Sequence, residues 1–200
     1  MSKTVDYYFS PISPWTYLGH ARFADMAQRH GAEVKVKPVD FGKVFPVSGG
    51  LPLAKRAPQR QAYRLVELKR FRDHLKVPLN LQPKYFPAAI DLAAQFIVAA
   101  GNSGGSDAAM RLTFAVLRAC WAEERNIADA DTLVALCKEQ GLDAASLAAA
   151  AQTEAVKSQY EVNTQEAIAC NVFGAPSYVV DGEIFWGQDR LEFVERALAG

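Results

Sequence analysis

The stretch Phe9-Ser10-Pro11-Ile12-Ser13-Pro14-Trp15-Thr16-Tyr17-Leu18-Gly19 carries a strand-like run, residues 4–9, straight into a helix-like run that begins at Pro14. Val5-Asp6-Tyr7-Tyr8-Phe9 consists mostly of aromatic and β-branched residues suited to a strand. Ser13 is a favoured N-cap and Pro14 is favoured at the first helical position. The turn therefore predicts a helix over 14–30, which Gly31 ends. Ser13-Pro14-Trp15-Thr16 also has the spacing of a Cys-x-x-Cys redox turn, with hydroxyls in place of both sulfurs. A hydroxyl cannot carry a disulfide, but at a helix N-terminus it can hold another molecule's thiolate. A plain helix cap is the other reading of Ser13 that these residues allow.

Downstream, Glu33-Val34-Lys35-Val36-Lys37-Pro38-Val39 alternates apolar and charged residues, the pattern of a second strand. A β-α-β unit of this kind implies parallel strands. Residues 42–58, rich in Gly, Pro and Lys, read as a long loop, a kind of segment that is often functional. Helices are predicted over 59–76, 88–100, 107–124, 131–140 and 143–151, with Asp129 or Asp131 capping the fourth. A long helix over 153–170 precedes two short strands, 177–180 and 183–186. Asp181-Gly182 between them is a strong hairpin signal. A helix over 191–198 closes the chain. The order is βαβ, a helical block, then αββα. The outer parts, residues 1–57 and 152–200, have the element order of an α/β, thioredoxin-like domain, and 58–151 is an inserted all-helical domain.

Two hundred residues, half of them apolar, can bury a sizeable core. A formal net charge of zero offers no basic footprint for nucleic acid. No apolar signal core precedes the first strand and no stretch is long enough to span a bilayer, so the cytoplasm is the expected setting. The three cysteines, Cys120, Cys137 and Cys170, are too widely spaced for a metal pair, and an odd count suggests no disulfide framework. Cys120 lies in a helical apolar pattern and reads as a buried, inert thiol. His20, His30 and His74 are scattered, and no metal site is expected.

Two motifs, in order, carry a family resemblance. One is Ser13 to Gly19 after the first strand; the other is Val172-Phe173-Gly174-Ala175-Pro176-Ser177 through Phe185-Trp186-Gly187-Gln188-Asp189-Arg190-Leu191. With them the chain resembles the DsbA-like thioredoxin superfamily, and within it the 2-hydroxychromene-2-carboxylate isomerases and kappa-class glutathione transferases. The resemblance covers essentially the whole chain. It implies a glutathione cofactor, with Ser13 contacting its sulfur. It implies a cis Ala175-Pro176 turn, with Ala175 pairing the cysteinyl backbone. Gly187, Gln188, Asp189 and Arg190 would form the γ-glutamyl site, Asp189 for the ammonium and Arg190 for the carboxylate. On the substrate side it implies Lys55, Arg56, Arg60, Tyr85 and Asn163; Phe45 stands where the family has a lysine.

The bound thiol sets an energetic requirement. A free thiol titrates near about 8.5, and bringing its pKa below neutrality is worth about 2.7 kcal/mol. A helix N-terminus supplies about 0.3–1 kcal/mol, up to roughly 2 in buried geometry. A hydrogen bond from Ser13 to the charged sulfur adds about 1.5–3 kcal/mol. The helix end is too weak alone, so the hydroxyl should matter. The implied activity is isomerisation of 2-hydroxychromene-2-carboxylate or a similar aromatic-degradation intermediate, by thiolate addition, ring opening, rotation and elimination. The alternatives are a kappa-like transferase, a thiol-disulfide oxidoreductase, against which the missing Cys pair argues, and a non-catalytic glutathione- or peptide-binding module. Many relatives of this kind are homodimers.

Overall fold

A computed structural model describes residues 3–200 of the chain; Met1 and Ser2, with which the predicted first domain opens, lie outside the described residues. Strand β1 (Thr4–Phe9) leads into helix α1 (Pro14–Arg29) and strand β2 (Glu33–Pro38), as the opening turn predicts. β1 and β2 are parallel, with Val5 opposite Val34. The hairpin of β3 (Ser177–Val180) and β4 (Glu183–Trp186) joins antiparallel to β1, giving the sheet order β2-β1-β3-β4. Its turn residues Asp181 and Gly182 both have positive φ, the geometry that matches strand twist in a two-residue hairpin.

The two sheet faces carry different cores because β-strand side chains alternate. On one face Tyr7 stacks on its cross-strand partner Tyr178, with ring centroids 5.3 Å apart and planes within 3°, and Phe23 of α1 tilts against both. This core continues without a break into the helical insertion: α3 (Pro58–Leu75), α4 (Asp91–Trp121), α5 (Ala130–Glu139) and α6 (Ala144–Ala151). On the other face Tyr8, Val39 and Val179 pack beneath α2 (Phe41–Ser48) and α7 (Glu154–Ala169). Helix α8 (Leu191–Ala199) closes the chain against β3 and α1.

Two predicted boundaries change. The segment 42–58 is not a loop throughout: it contains α2 and a short 3-10 turn, Leu53–Lys55. Asp40 caps α2 by accepting the Gly42 N–H, and burial of Phe41 and Val44 outweighs the helix-breaking Pro46 inside it. The helices expected over 88–100 and 107–124 are two halves of α4, separated by Gly105, whose φ of 71° and ψ of −169° break the helical path. Asp129, rather than Asp131, caps α5, accepting from the Thr132 N–H at 2.9 Å. Among the described residues no helix is long and apolar enough to cross a membrane.

Candidate active site

The site starts at the β1–α1 turn. The Ser13 N–H donates to the Ser10 carbonyl (3.0 Å), closing the turn, and the Ser13 hydroxyl accepts the Thr16 N–H (3.2 Å) as the N-cap of α1. Ser13 thus is a cap, but the cap uses only its oxygen. Among the described residues no acceptor takes its O–H, and Ser13 lines a cleft. The turn is held from behind by the helical insertion: the Trp121 indole N–H donates to the Ile12 carbonyl (3.2 Å), and the Tyr17 hydroxyl donates to the Pro78 carbonyl (2.8 Å).

The facing wall comes from the β3 side. The Ala175–Pro176 peptide bond is cis. Among the described residues neither the N–H nor the C=O of Ala175 is engaged by another backbone group, so this residue offers a short free edge to the cleft it lines. Behind it the Pro176 carbonyl accepts the Gly187 N–H (2.9 Å), and Trp186 meets Phe173 edge to face at 4.9 Å. The two walls touch at Gly19. A Cβ there would lie 2.7 Å from the Gln188 Cβ, so glycine lets α1 close on the segment before α8. Arg22 then donates to both the backbone carbonyl and the side-chain oxygen of Gln188.

Between these walls lies a cleft in two halves. The apolar half, about 640 Å³, is walled by Phe41, Phe45, Leu51, Leu53 and Phe86, with Ser13 at its base. The polar half, about 630 Å³, is bordered by Tyr63, Glu67 and the run Gly187 to Arg190. Trp15, Arg56, Arg60, Arg64, Ala175 and Trp186 line both. Each half is in the size range of small-molecule sites. Burial, and then the Arg56 charge beside it, lower the Arg64 guanidinium to about 10, still cationic at neutral pH. Asp189 and Arg190 are ion-paired to each other at 2.7 Å on the exposed rim.

The predicted residues divide accordingly. Ser13, Ala175, Gly187, Gln188, Asp189, Arg190, Arg56 and Arg60 share the cleft, and Pro176 lies directly behind it. Three others lie outside the cleft lining. Lys55 ends the 3-10 turn with an exposed side chain outside the cleft wall. Tyr85 lies beneath Lys84, 5.0 Å from its ammonium, and its neighbour Phe86 faces the cleft instead. Asn163 is buried on α7, accepting from Gln159 and donating to the Pro38 carbonyl. Lys43, another cation of that segment, is paired with Glu161. The sequence reading passed over Arg64, although Arg60 and Arg64, one helical turn apart, signal a shared face.

None of the three cysteines lines this cleft, and two of them are buried. Burial pushes the Cys120 thiol up to about 12 and that of Cys137 up to about 11, so both stay protonated. Among the described residues no cluster of three His, Cys, Asp or Glu side chains is arranged to hold a metal ion.

Comparison with known proteins agrees with this architecture. The model of the DSBA-like thioredoxin domain matches residues 4–199. A 2-hydroxychromene-2-carboxylate isomerase of Sphingobium xenophagum is 31% identical over 99% of this chain and 99% of its own length. One from Pseudomonas putida is 28% identical over 97% and 93%. A solved 2-hydroxychromene-2-carboxylate isomerase superposes with a TM-score of 0.81 at 26% identity, covering 98% of this chain and 94% of its own. The chain therefore belongs to the DSBA-like thioredoxin family, among relatives that are 2-hydroxychromene-2-carboxylate isomerases.

Proposed function

We propose that this protein is a glutathione-dependent isomerase of 2-hydroxychromene-2-carboxylate or a similar intermediate of aromatic degradation. The observation that carries the reading is the Ser13 hydroxyl, which keeps a donor to spare in the apolar half of the cleft, where Arg56, Arg60 and Arg64 also stand. The relatives' activity supplies the substrate class.

The residues fit glutathione. Ala175 has the unpaired backbone N–H and C=O that a cysteinyl residue would meet in strand fashion. Asp189 and Arg190, now paired with each other, can each turn to one charge of a γ-glutamyl end. When bound, glutathione supplies a thiolate nucleophile. Ser13 would hold its Oγ–H toward the sulfur, and the Thr16 N–H given to the same oxygen makes that hydroxyl a better donor. The α1 N-terminus adds its dipole. Trp15 and Trp186 border both halves of the cleft and give it apolar walls at their junction. Arg56 and Arg60 hold permanent positive charge across the junction, where an anionic aromatic acid and an anionic tripeptide would meet.

Purified protein supplied with 2-hydroxychromene-2-carboxylate should give a product of unchanged mass, only when reduced glutathione is present. A product heavier by one glutathione would make it a transferase. Turnover that is indifferent to glutathione would end the cofactor assignment.

A further inference from the structure

Among the described residues, Arg64 is the one cation of the cleft wall that is both half-buried and without a hydrogen-bonding partner. Other guanidiniums of the chain are engaged: Arg22 with Gln188, Arg118 with Glu123, Arg125 with Glu139 and Arg190 with Asp189. Arg64 meets neither a carboxylate nor a carbonyl among the described residues. Its guanidinium lies instead 5.3 Å from the Phe86 ring centroid and 5.7 Å from that of Trp121. Aromatic faces replace part of the lost hydration of a cation but satisfy none of its N–H donors. The apolar half of the cleft that it lines contains no Asp or Glu to do so.

The bracket is fixed in position. Trp121 is fully buried and donates to the carbonyl of Ile12, the residue before Ser13. A continuous path of contacts thus runs from the guanidinium through Trp121 to the hydroxyl that the proposed function places at the sulfur. A guanidinium resting against this tilted pair of rings keeps its fork of N–H groups for one planar, bidentate acceptor. A carboxylate carried on an aromatic ring satisfies both parts of this environment: its oxygens meet the donors and its ring lies among Phe86, Phe41 and Phe45.

We infer that Arg64 is a specificity-determining residue that receives the carboxylate of a flat aromatic acid in the apolar half of the cleft, and so disfavours neutral molecules of the same shape. The inference rests on the reading that this cleft takes an aromatic acid. A second carboxylate, the glycine end of glutathione, has the same chemistry, but the aromatic bracket suits an aryl acid better than a peptide terminus.

The test uses the three tryptophans, of which Trp15 and Trp186 line the cleft and Trp121 lies beneath Arg64. Fluorescence titration with 2-naphthoate and with neutral 2-naphthamide, glutathione absent, is compared for the wild-type chain, Arg64→Met and Arg64→Lys. Wild type should prefer the acid. Arg64→Met should lose roughly ten- to a hundredfold in naphthoate affinity, with naphthamide and glutathione affinities little changed. Retained naphthamide binding shows that the variant is folded. Arg64→Lys, which keeps charge without the fork, should recover only part of the loss, and it carries the test should the methionine variant not fold. Three results overturn the inference: no naphthoate binding by wild type, equal loss of acid and amide, or a loss confined to glutathione. The isomerase reading fails separately. If naphthoate binding depends on Arg64 while no chromene turns over, the carboxylate site stands and that reading falls. If chromene turns over with an unaltered KM in Arg64→Met, the reading stands and Arg64 loses its role.

Discussion

The Ser13 hydroxyl accepts the Thr16 N–H, and that bond leaves its own proton free for the cleft. Ser13→Ala removes both functions but leaves Ala175 and the Asp189–Arg190 pair in place. With a charge-directed hydrogen bond worth about 1.5–3 kcal/mol, kcat/KM should fall roughly ten- to a hundredfold while glutathione binding remains measurable. The pKa of the bound thiol, read from ultraviolet thiolate absorbance against pH, should rise towards its free value. An unshifted thiol titration would reduce Ser13 to a cap. At this scale the sequence was partly legible. Ser13 announces itself because Pro14 follows it and a strand precedes it. Phe86 does not, because the choice between Tyr85 and Phe86 depends on which ring the Pro83 to Pro87 segment turns inward, and no periodicity fixes that. Arg64 was readable one helical turn from Arg60, but its value comes from Trp121, a partner far along the chain.

Among the elements, α1 both presents Ser13 and contacts the segment before α8, and Gly19 makes that contact possible. Gly19→Ala would gain about 1 kcal/mol in helix propensity. Its Cβ, however, would sit 2.7 Å from the Gln188 Cβ, an atom too near the backbone to swing aside. Overpacking of this kind costs about 1–3 kcal/mol and forces a backbone shift. The clash should outweigh the propensity gain, leaving the variant up to about 2 kcal/mol less stable in urea unfolding. Glutathione affinity by calorimetry should weaken too, since Gln188, Asp189 and Arg190 move with the contact. A variant as stable as wild type with full affinity would mean that the two walls are not rigidly coupled. The contact is invisible in sequence because it joins residues 169 positions apart. The same holds for α2. Gly42, Pro46, Gly49 and Gly50 argue against a helix locally, and only the pocket formed by Tyr8, Val39 and Ala167 makes burial of Phe41 and Val44 worth the lost hydrogen bond.

Over the whole molecule the architecture was legible because local signals agreed: the parallel βαβ unit, the Asp181-Gly182 hairpin and the capped helices between them each allow few alternatives. What the order of elements does not disclose is how sheet and helical insertion are fastened. His20 of α1 is one such fastening. Its Nε2–H donates to the Met110 carbonyl of α4 (3.0 Å), so Nδ1 accepts from the Tyr7 hydroxyl of β1 (3.1 Å), and the ring is neutral. Burial moves its pKa from the ordinary 6.5 down to about 4, against the smaller opposing effect of the Met110 bond. Between those values the unfolded chain binds a proton that the folded chain refuses. Stability therefore rises with pH across that window, is complete above about 6.5, and is lost as pH falls towards 4. From pH 7 to pH 5 this one residue should remove about 2 kcal/mol of unfolding free energy. Urea unfolding at the two pH values, on wild type and on His20→Gln, measures it. The glutamine variant should be weaker at pH 7, because Tyr7 and the Met110 carbonyl lose a fitted partner. Its further loss on going to pH 5 should be smaller than that of wild type by about 2 kcal/mol. Equal losses in the two proteins would mean that acid loosens the junction of sheet and helices through some other group.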